Sequence, residues 1–188
     1  MKMLTLVTML CVVSLLGSAV AFAGNESKVG TAGAYELLIP VGARGTALAG
    51  TAVASMTGVE AIHWNPAGPS RQWGESSVEA MFSHMNYIGE TAMDYAAVGW
   101  NAEEFGTIGI FVRSFNFGDI QETTEEFPEG TGRLFSPSYM TFGVTYSKML
   151  TDRISVGFTG KFVSETILRT SASGFALDAG VIYYVGGT

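Results

Sequence analysis

The stretch that decides the fold is Ser138–Val185: SYMTFGVTYSKML (138–150), TDR (151–153), ISVGFTGKFVSET (154–166), a short gap, then GFALDAGVIYYV (174–185). Each long run alternates with period two. Met140, Phe142, Val144 and Tyr146 fall on one side of the first run, and Thr141, Gly143, Thr145 and Ser147 on the other. In the second run Ile154, Val156, Phe158 and Phe162 oppose Ser155, Gly157, Thr159 and Lys161. In the third, Phe175, Leu177, Ala179, Val181, Tyr183 and Val185 oppose Asp178 and Gly180. A strand sends successive side chains to opposite faces, so each set lines one side of a sheet. The run lengths, the nearly charge-free apolar face and the small or polar opposite face predict an antiparallel transmembrane β-barrel wall, with oily side chains outward and small polar ones toward a lumen. The rival reading is a soluble periplasmic β-sandwich, with the oily faces packed inside.

The beginning of the chain reads as an export signal. Lys2 supplies a basic start, Leu4–Leu16 an apolar core, and Ala21-Phe22-Ala23 a small-x-small cleavage site that makes Gly24 the first mature residue. That core is too short to remain as a membrane helix. Cys11, the one cysteine, lies within it. The preceding Thr8-Met9-Leu10 lacks the small residue expected before a lipid-modified cysteine. The formal net charge is −7. Removing Lys2 leaves nine basic against 17 acidic residues, or −8, over 188 − 23 = 165 residues. An acidic chain without a basic patch is a poor nucleic-acid ligand. Glycine is abundant at 24 and charged residues are 14% of the chain. High apolar content without a later helical span again favours a barrel.

Three regions are expected: a signal at 1–23, a plug at 24–75, and strands over 76–188. Gly24–Gly33 is small and polar. Within the plug, Tyr35, Leu37, Leu38 and Ile39 predict a short buried turn ended by Pro40. Gly42, Gly45 and Gly50 punctuate a small-residue run that permits close backbone approach. Asn65-Pro66 marks a turn. Strands are then expected at Ser76–Tyr87 (Val78, Ala80 and Phe82 on one face), Thr91–Trp100 and Phe105–Phe115, followed by a long loop, Phe117–Pro137, and the three strands above. The last two join through a loop near Thr166–Ser173. Short links at 101–104 and 151–153 read as periplasmic, and the long loop as outer. Trp100, Phe105, Phe115, Phe117 and Phe135, at strand ends, read as an interfacial belt.

The segment GAYELLIPVGARGTALAGTAVAS followed by AIHWNPAG resembles the amino-terminal signature of the PorV/PorQ family of outer-membrane proteins. The matching elements are Leu37–Ile39, Gly42-Ala43-Arg44, the small run through Gly50–Ala54, and Asn65-Pro66-Ala67-Gly68. The resemblance implies a plugged, FadL-like barrel of fourteen strands, and a role in type IX secretion, as a shuttle or binding component handing cargo to the cell surface. Its alternative implication is FadL-like passage of small hydrophobic molecules. Six strands are legible where a lone barrel needs about eight. The sequence therefore reads as a fragment, or as one partner in a shared barrel.

Chemistry-bearing residues are sparse. His63 and His84 have no metal spacing, no cofactor motif appears, and no enzyme activity is expected. Ser83 and His84 are neighbours, but on a strand they point to opposite faces. The candidate ligand or gating residues are Arg44, Asn65, Pro66, Arg113, Lys161 and Asp178. Arg44 reads as an anchor to lumen carboxylates and Asn65 as a turn cap; the sharper reading makes them a moving gate. Lys161 and Asp178 stand opposite each other if the hairpin centres on 169–170, as an ion pair that pins register or as ligand contacts, with Arg113 beside them. The acidic loop residues Asp119, Glu122, Glu125, Glu126 and Glu129 read as a solvated outer loop, or as contacts for lipopolysaccharide or exported protein. Expected partners are outer-membrane lipid and lipopolysaccharide, and secreted cargo proteins or small hydrophobic ligands. The expected location is the outer membrane.

Overall fold

Six strands pair in the order β1-β2-β3-β6-β7-β8, antiparallel throughout, in a computed structural model that describes residues 33–71, 77–89, 91–168 and 170–185. The strands are β1 (Val78–Asn86), β2 (Ala92–Asn101), β3 (Thr107–Asn116), β6 (Ser138–Thr151), β7 (Ile154–Ile167) and β8 (Thr170–Tyr183); β4 (Ile120–Gln121) and β5 (Leu134–Phe135) form a separate two-stranded sheet. The expected signal segment, its cleavage site, the Gly24–Gly33 stretch except Gly33, and the boundary at Ser76 lie outside the described residues. Among the described residues the sheet is open, with β1 and β8 at its edges. Residues from Glu36 onward form one unit, so plug and wall share a core.

Alternation settles which face is which. Thr141, Thr145, Ser147, Ser155 and Thr159 are buried, while Phe142, Phe158 and Leu177 are 49%, 62% and 86% exposed. A water-soluble sandwich requires the reverse, because burying hydroxyls while baring large apolar side chains forfeits the main driving force for folding. The wall is therefore all-β and faces its oily side outward. His84 is exposed on that outer face, opposite in parity to Ser83.

The turns have local causes. Asn101 Oδ1 accepts from the Glu103 amide, and Gly106 takes φ 111° between β2 and β3. Thr151 Oγ1 accepts from the amides of Arg153 and Ile154 and closes the β6–β7 turn. Two expectations need correction. The loop near Thr166–Ser173 is almost wholly strand: Ile167 pairs with Thr170, and the ladder continues through Ser171 and Ser173. Side chains this small pair through the backbone without announcing themselves by alternation. The long loop from Phe117 also contains structure, since β4 pairs with β5 and the ladder extends through Glu122 and Arg133.

The aromatic belt is partly corrected too. Trp100 and Phe105 are exposed at the short-turn end, and Tyr146 donates to the Phe105 carbonyl at 2.7 Å. Phe115 instead points inward, 1% exposed, and stacks on Phe117. Its odd position in β3 puts it on the same face as Phe111 and Arg113, so parity overrides its place at a strand end.

A plug seated on glycines in the wall

The plug is built from short turns. A 3₁₀ turn spans Tyr35–Leu38, helix α1 spans Ala43–Ala47, two further 3₁₀ turns cover Thr51–Ala54 and Gly58–Glu60, and helix α2 spans Ala61–Trp64. Such short helices are not stable alone and persist by packing. Trp64 clamps them: its indole donates to the Val41 carbonyl at 3.1 Å and its ring lies over Gly45. A Cβ on Gly45 would come within 2.3 Å of that ring. This is the close approach that the small-residue run predicts. The first turn departs from expectation, since Leu38 is 78% exposed and the buried member is Glu36. Glu36 lies within electrostatic reach of Glu165 and Arg113 of the wall.

The junction with the wall is the candidate site. Asn65 Oδ1 accepts from the Ala67 amide at 3.0 Å, and its Nδ2 donates to the Val53 carbonyl, so Asn65 holds the Asn65–Gly68 turn in shape. That turn rests on two glycines that face each other across the β7–β8 ladder, Gly157 and Gly180. A Cβ at Gly157 would lie 1.9 Å from the Pro66 carbonyl oxygen, and one at Gly180 would lie 2.1 Å from Asn65 Oδ1. The glycine pair forms a notch in the wall that admits the Pro66 backbone over Gly157 and the Asn65 amide and Pro66 ring over Gly180, with no room for a Cβ at either. Gly109 plays the same part for Ile62, whose Cδ1 sits 2.6 Å from where a Cβ would be.

Polar contacts fix the plug's orientation. Arg71 Nε donates to Ser155 Oγ at 3.2 Å, its Nη2 to the Asp152 carbonyl at 3.3 Å, and its guanidinium lies 3.9 Å from the Tyr184 ring centroid. Glu79 of β1 accepts from the Val59 amide at 3.1 Å. Ser147 Oγ accepts from the Ser70 amide. An apolar cluster joins both parts: Val41 and Ile62 of the plug with Met93, Tyr95, Ala97, Phe111 and Phe115 of the wall.

The candidate residues named from sequence separate into four places. Arg44 pairs with Glu60 at 3.7 Å, within the plug and largely exposed, and not with a wall carboxylate. Asn65 and Pro66 occupy the glycine notch. Lys161 and Asp178 form an ion pair at 2.5 Å, but not as direct register partners: Thr159 stands opposite Asp178, and Lys161 opposite Ala176. The hairpin centres one residue earlier than the symmetric assumption, which moves each partner by two positions, and lysine's long side chain makes the diagonal. Arg113 is 2% exposed and donates to the Ile39 carbonyl, so it meets the plug and not the ion pair.

Burial tunes two plug groups. Desolvation, reinforced by the cations of Arg113 and Lys161, pushes the His63 imidazole down from 6.5 to about 3, so it sits neutral. Desolvation, with the nearby Glu165 carboxylate, raises Glu36 above the usual carboxylate range. Among the described residues no cluster of three or more His, Cys, Asp or Glu could hold a metal ion. Arg71 and the glycine pair were missed from sequence. A Gly-x-Thr step on one strand and a Gly on the next gave a signal only in hindsight of the register.

An antiparallel wall with its exposed apolar side chains outward, holding an amino-terminal plug in a glycine notch on its inner face, is a plugged β-barrel wall. The family model for type IX secretion system protein PorV matches residues 22–184, and the chain belongs to that family, which makes it a component of type IX secretion. No curated protein matches the chain.

Proposed function

We propose that the protein works in the outer membrane as a docking component of type IX secretion, binding exported proteins at the surface with its outer loops while the plug keeps the wall's lumen side closed. The observation that carries this reading is the character of the inner face. Where a tunnel for oily molecules calls for apolar lining, the buried inward side chains of β6 and β7 are, Val163 apart, Thr141, Thr145, Ser147, Ser155 and Thr159, Thr145 and Thr159 bond to each other at 2.7 Å, and the apolar inward side chains of β2 and β3 are covered by Val41 and Ile62 of the plug. The docking surface is the ordered β4–β5 hairpin. It presents exposed Phe127 and Leu134 beside Glu125, Glu126 and Glu129, a combination suited to a segment carrying basic and apolar side chains.

The test is in-cell photo-crosslinking from position 127, combined with replacement of residues 122–133 by a short Gly-Ser turn. Secreted protein should crosslink, and the replacement should abolish surface delivery while the protein still fractionates with the outer membrane. Intact secretion together with lost uptake of a hydrophobic dye would favour the transport alternative. Recovery in the soluble periplasmic fraction would remove the membrane assignment altogether.

A further inference from the structure

The outward face is not uniformly oily. On β7 and β8 it is apolar or glycine over nine residues, Ile154–Phe162 and Phe175–Tyr183, but on β1, β2 and β3 over only five: Val78–Phe82, Ala96–Trp100 and Ile108–Val112. At about 3.4 Å per residue and a tilt of about 40°, the longer segments rise about 21 Å along a membrane normal and the shorter about 10 Å, against an apolar band of about 25 Å. Beyond the short segments, toward the long-loop end, the outer face turns polar along one register row. His84 pairs with Asp94 and Asp94 with Ser114; two residues further on come Asn86 and Asn116. His84 Nδ1 and Asp94 Oδ1 are 2.7 Å apart, and both side chains are about half exposed.

We propose that the bilayer thins against the β1–β3 sector and that a hydroxyl-bearing, sugar-type lipid headgroup sits on the His84–Asp94 pair. This inference rests on the outer-membrane reading above. A carboxylate with its imidazole partner and two amides facing hydrocarbon are costly, whereas thinning by several ångströms costs only fractions of a kcal/mol per Å. The patch favours hydroxyls over phosphate. It contains a carboxylate acceptor, an imidazole bonded to that carboxylate, amides and a serine, but no Lys or Arg, the groups that bind phosphate.

The test uses the full chain with Cys11→Ser, reconstituted in vesicles, with single nitroxide labels at Ser114→Cys and Leu177→Cys. The label at 114 should relax with a water-soluble agent while that at 177 responds only to oxygen. Equal shielding at both sites overturns the thinning. Water access at 177 instead overturns the membrane reading itself, so the two failures are distinguishable. The double variant H84L/D94L should shift optimal insertion to phosphatidylcholines with longer acyl chains; no shift overturns the proposal. In native mass spectrometry, a digalactosyl lipid should be retained over phosphatidylglycerol with matched chains. That preference should fall about tenfold in the double variant, the effect of losing one hydrogen bond to a charged group. Preference for phosphatidylglycerol overturns the headgroup assignment, as does a label at 114 shielded by a protein in native membranes but open in vesicles.

Discussion

Replacing Gly157 with alanine adds one methyl group to the wall and nothing to the outside of the molecule. That methyl would lie 1.9 Å from the Pro66 carbonyl oxygen, 2.2 Å from its carbon and 2.7 Å from the Ala67 nitrogen. Non-bonded contacts settle near 3.5 Å, so the turn must retreat by about 1.5 Å. The struck atoms are backbone, held by the Asn65 side chain on one side and the Gly68 packing on the other, so they cannot swing aside as a side-chain tip would. Overpacking costs about 1–3 kcal/mol, and a retreat of this size also strains the Arg71 bonds to Ser155 and Asp152, each worth about 1 kcal/mol. A total of about 3 kcal/mol lowers the ratio of seated to unseated plug about 150-fold, at tenfold per 1.4 kcal/mol. Hydrogen exchange of the amides at 65–71 reads this ratio directly. The matched control is Gly160→Ala on the same strand, where a Cβ meets only Leu177 Cδ2 at 3.9 Å. Exchange at 65–71 should accelerate about a hundredfold in G157A and stay within a few-fold in G160A. Unchanged exchange in G157A refutes the notch. Equal acceleration in both variants shows a general loss of strand β7 and refutes it as well.

Arg71→Ala should loosen the plug by about 2 kcal/mol, from lost hydrogen bonds and ring stacking, and speed proteolysis near residues 66–71 without altering the strand content by circular dichroism. Acidification should release the plug through His63. Its seated form titrates near 3 and its free form near 6.5, so stability is full above 6.5 and declines as pH falls toward 3, by at most about 1.4 kcal/mol per pH unit. Glu36, raised when seated, works in the opposite sense, stabilising at low pH and less as pH rises through its seated value. H63Q should therefore flatten the acid limb of plug exchange between pH 6.5 and 5, and E36Q should steepen it; an H63Q profile identical to wild type would refute the assignment. Lys161→Met leaves the partly exposed Asp178 unpaired and should cost about 1 kcal/mol, recovered in part by adding Asp178→Leu, measured as urea resistance in a double-mutant cycle. Leu177→Lys, on the outward face, should lower folding into vesicles by about 2–4 kcal/mol, whereas the same change at exposed Glu125 should do nothing.

Period-two alternation made the wall legible from sequence, because a pleated strand has only two faces and a sheet with one oily side must put each strand's apolar set together. Met140 to Tyr146, Ile154 to Phe162 and Phe175 to Val185 carried that information locally. The Asn65-Pro66 turn was legible for the same reason: proline and an Asx side chain act on their immediate neighbours. What tertiary structure alone decided is everything set by register between distant strands. Gly157 and Gly180 are unremarkable glycines until the ladder places them opposite each other beneath Pro66. The hairpin centres one residue earlier than symmetry around 169–170 implied, so Lys161 reaches Asp178 diagonally. Arg71, near the end of the plug, gains its partners from residues more than eighty positions away. Side-chain alternation depends on backbone geometry within one strand, but seats, anchors and ion pairs depend on how far one strand slides past the next, and no single strand encodes that distance.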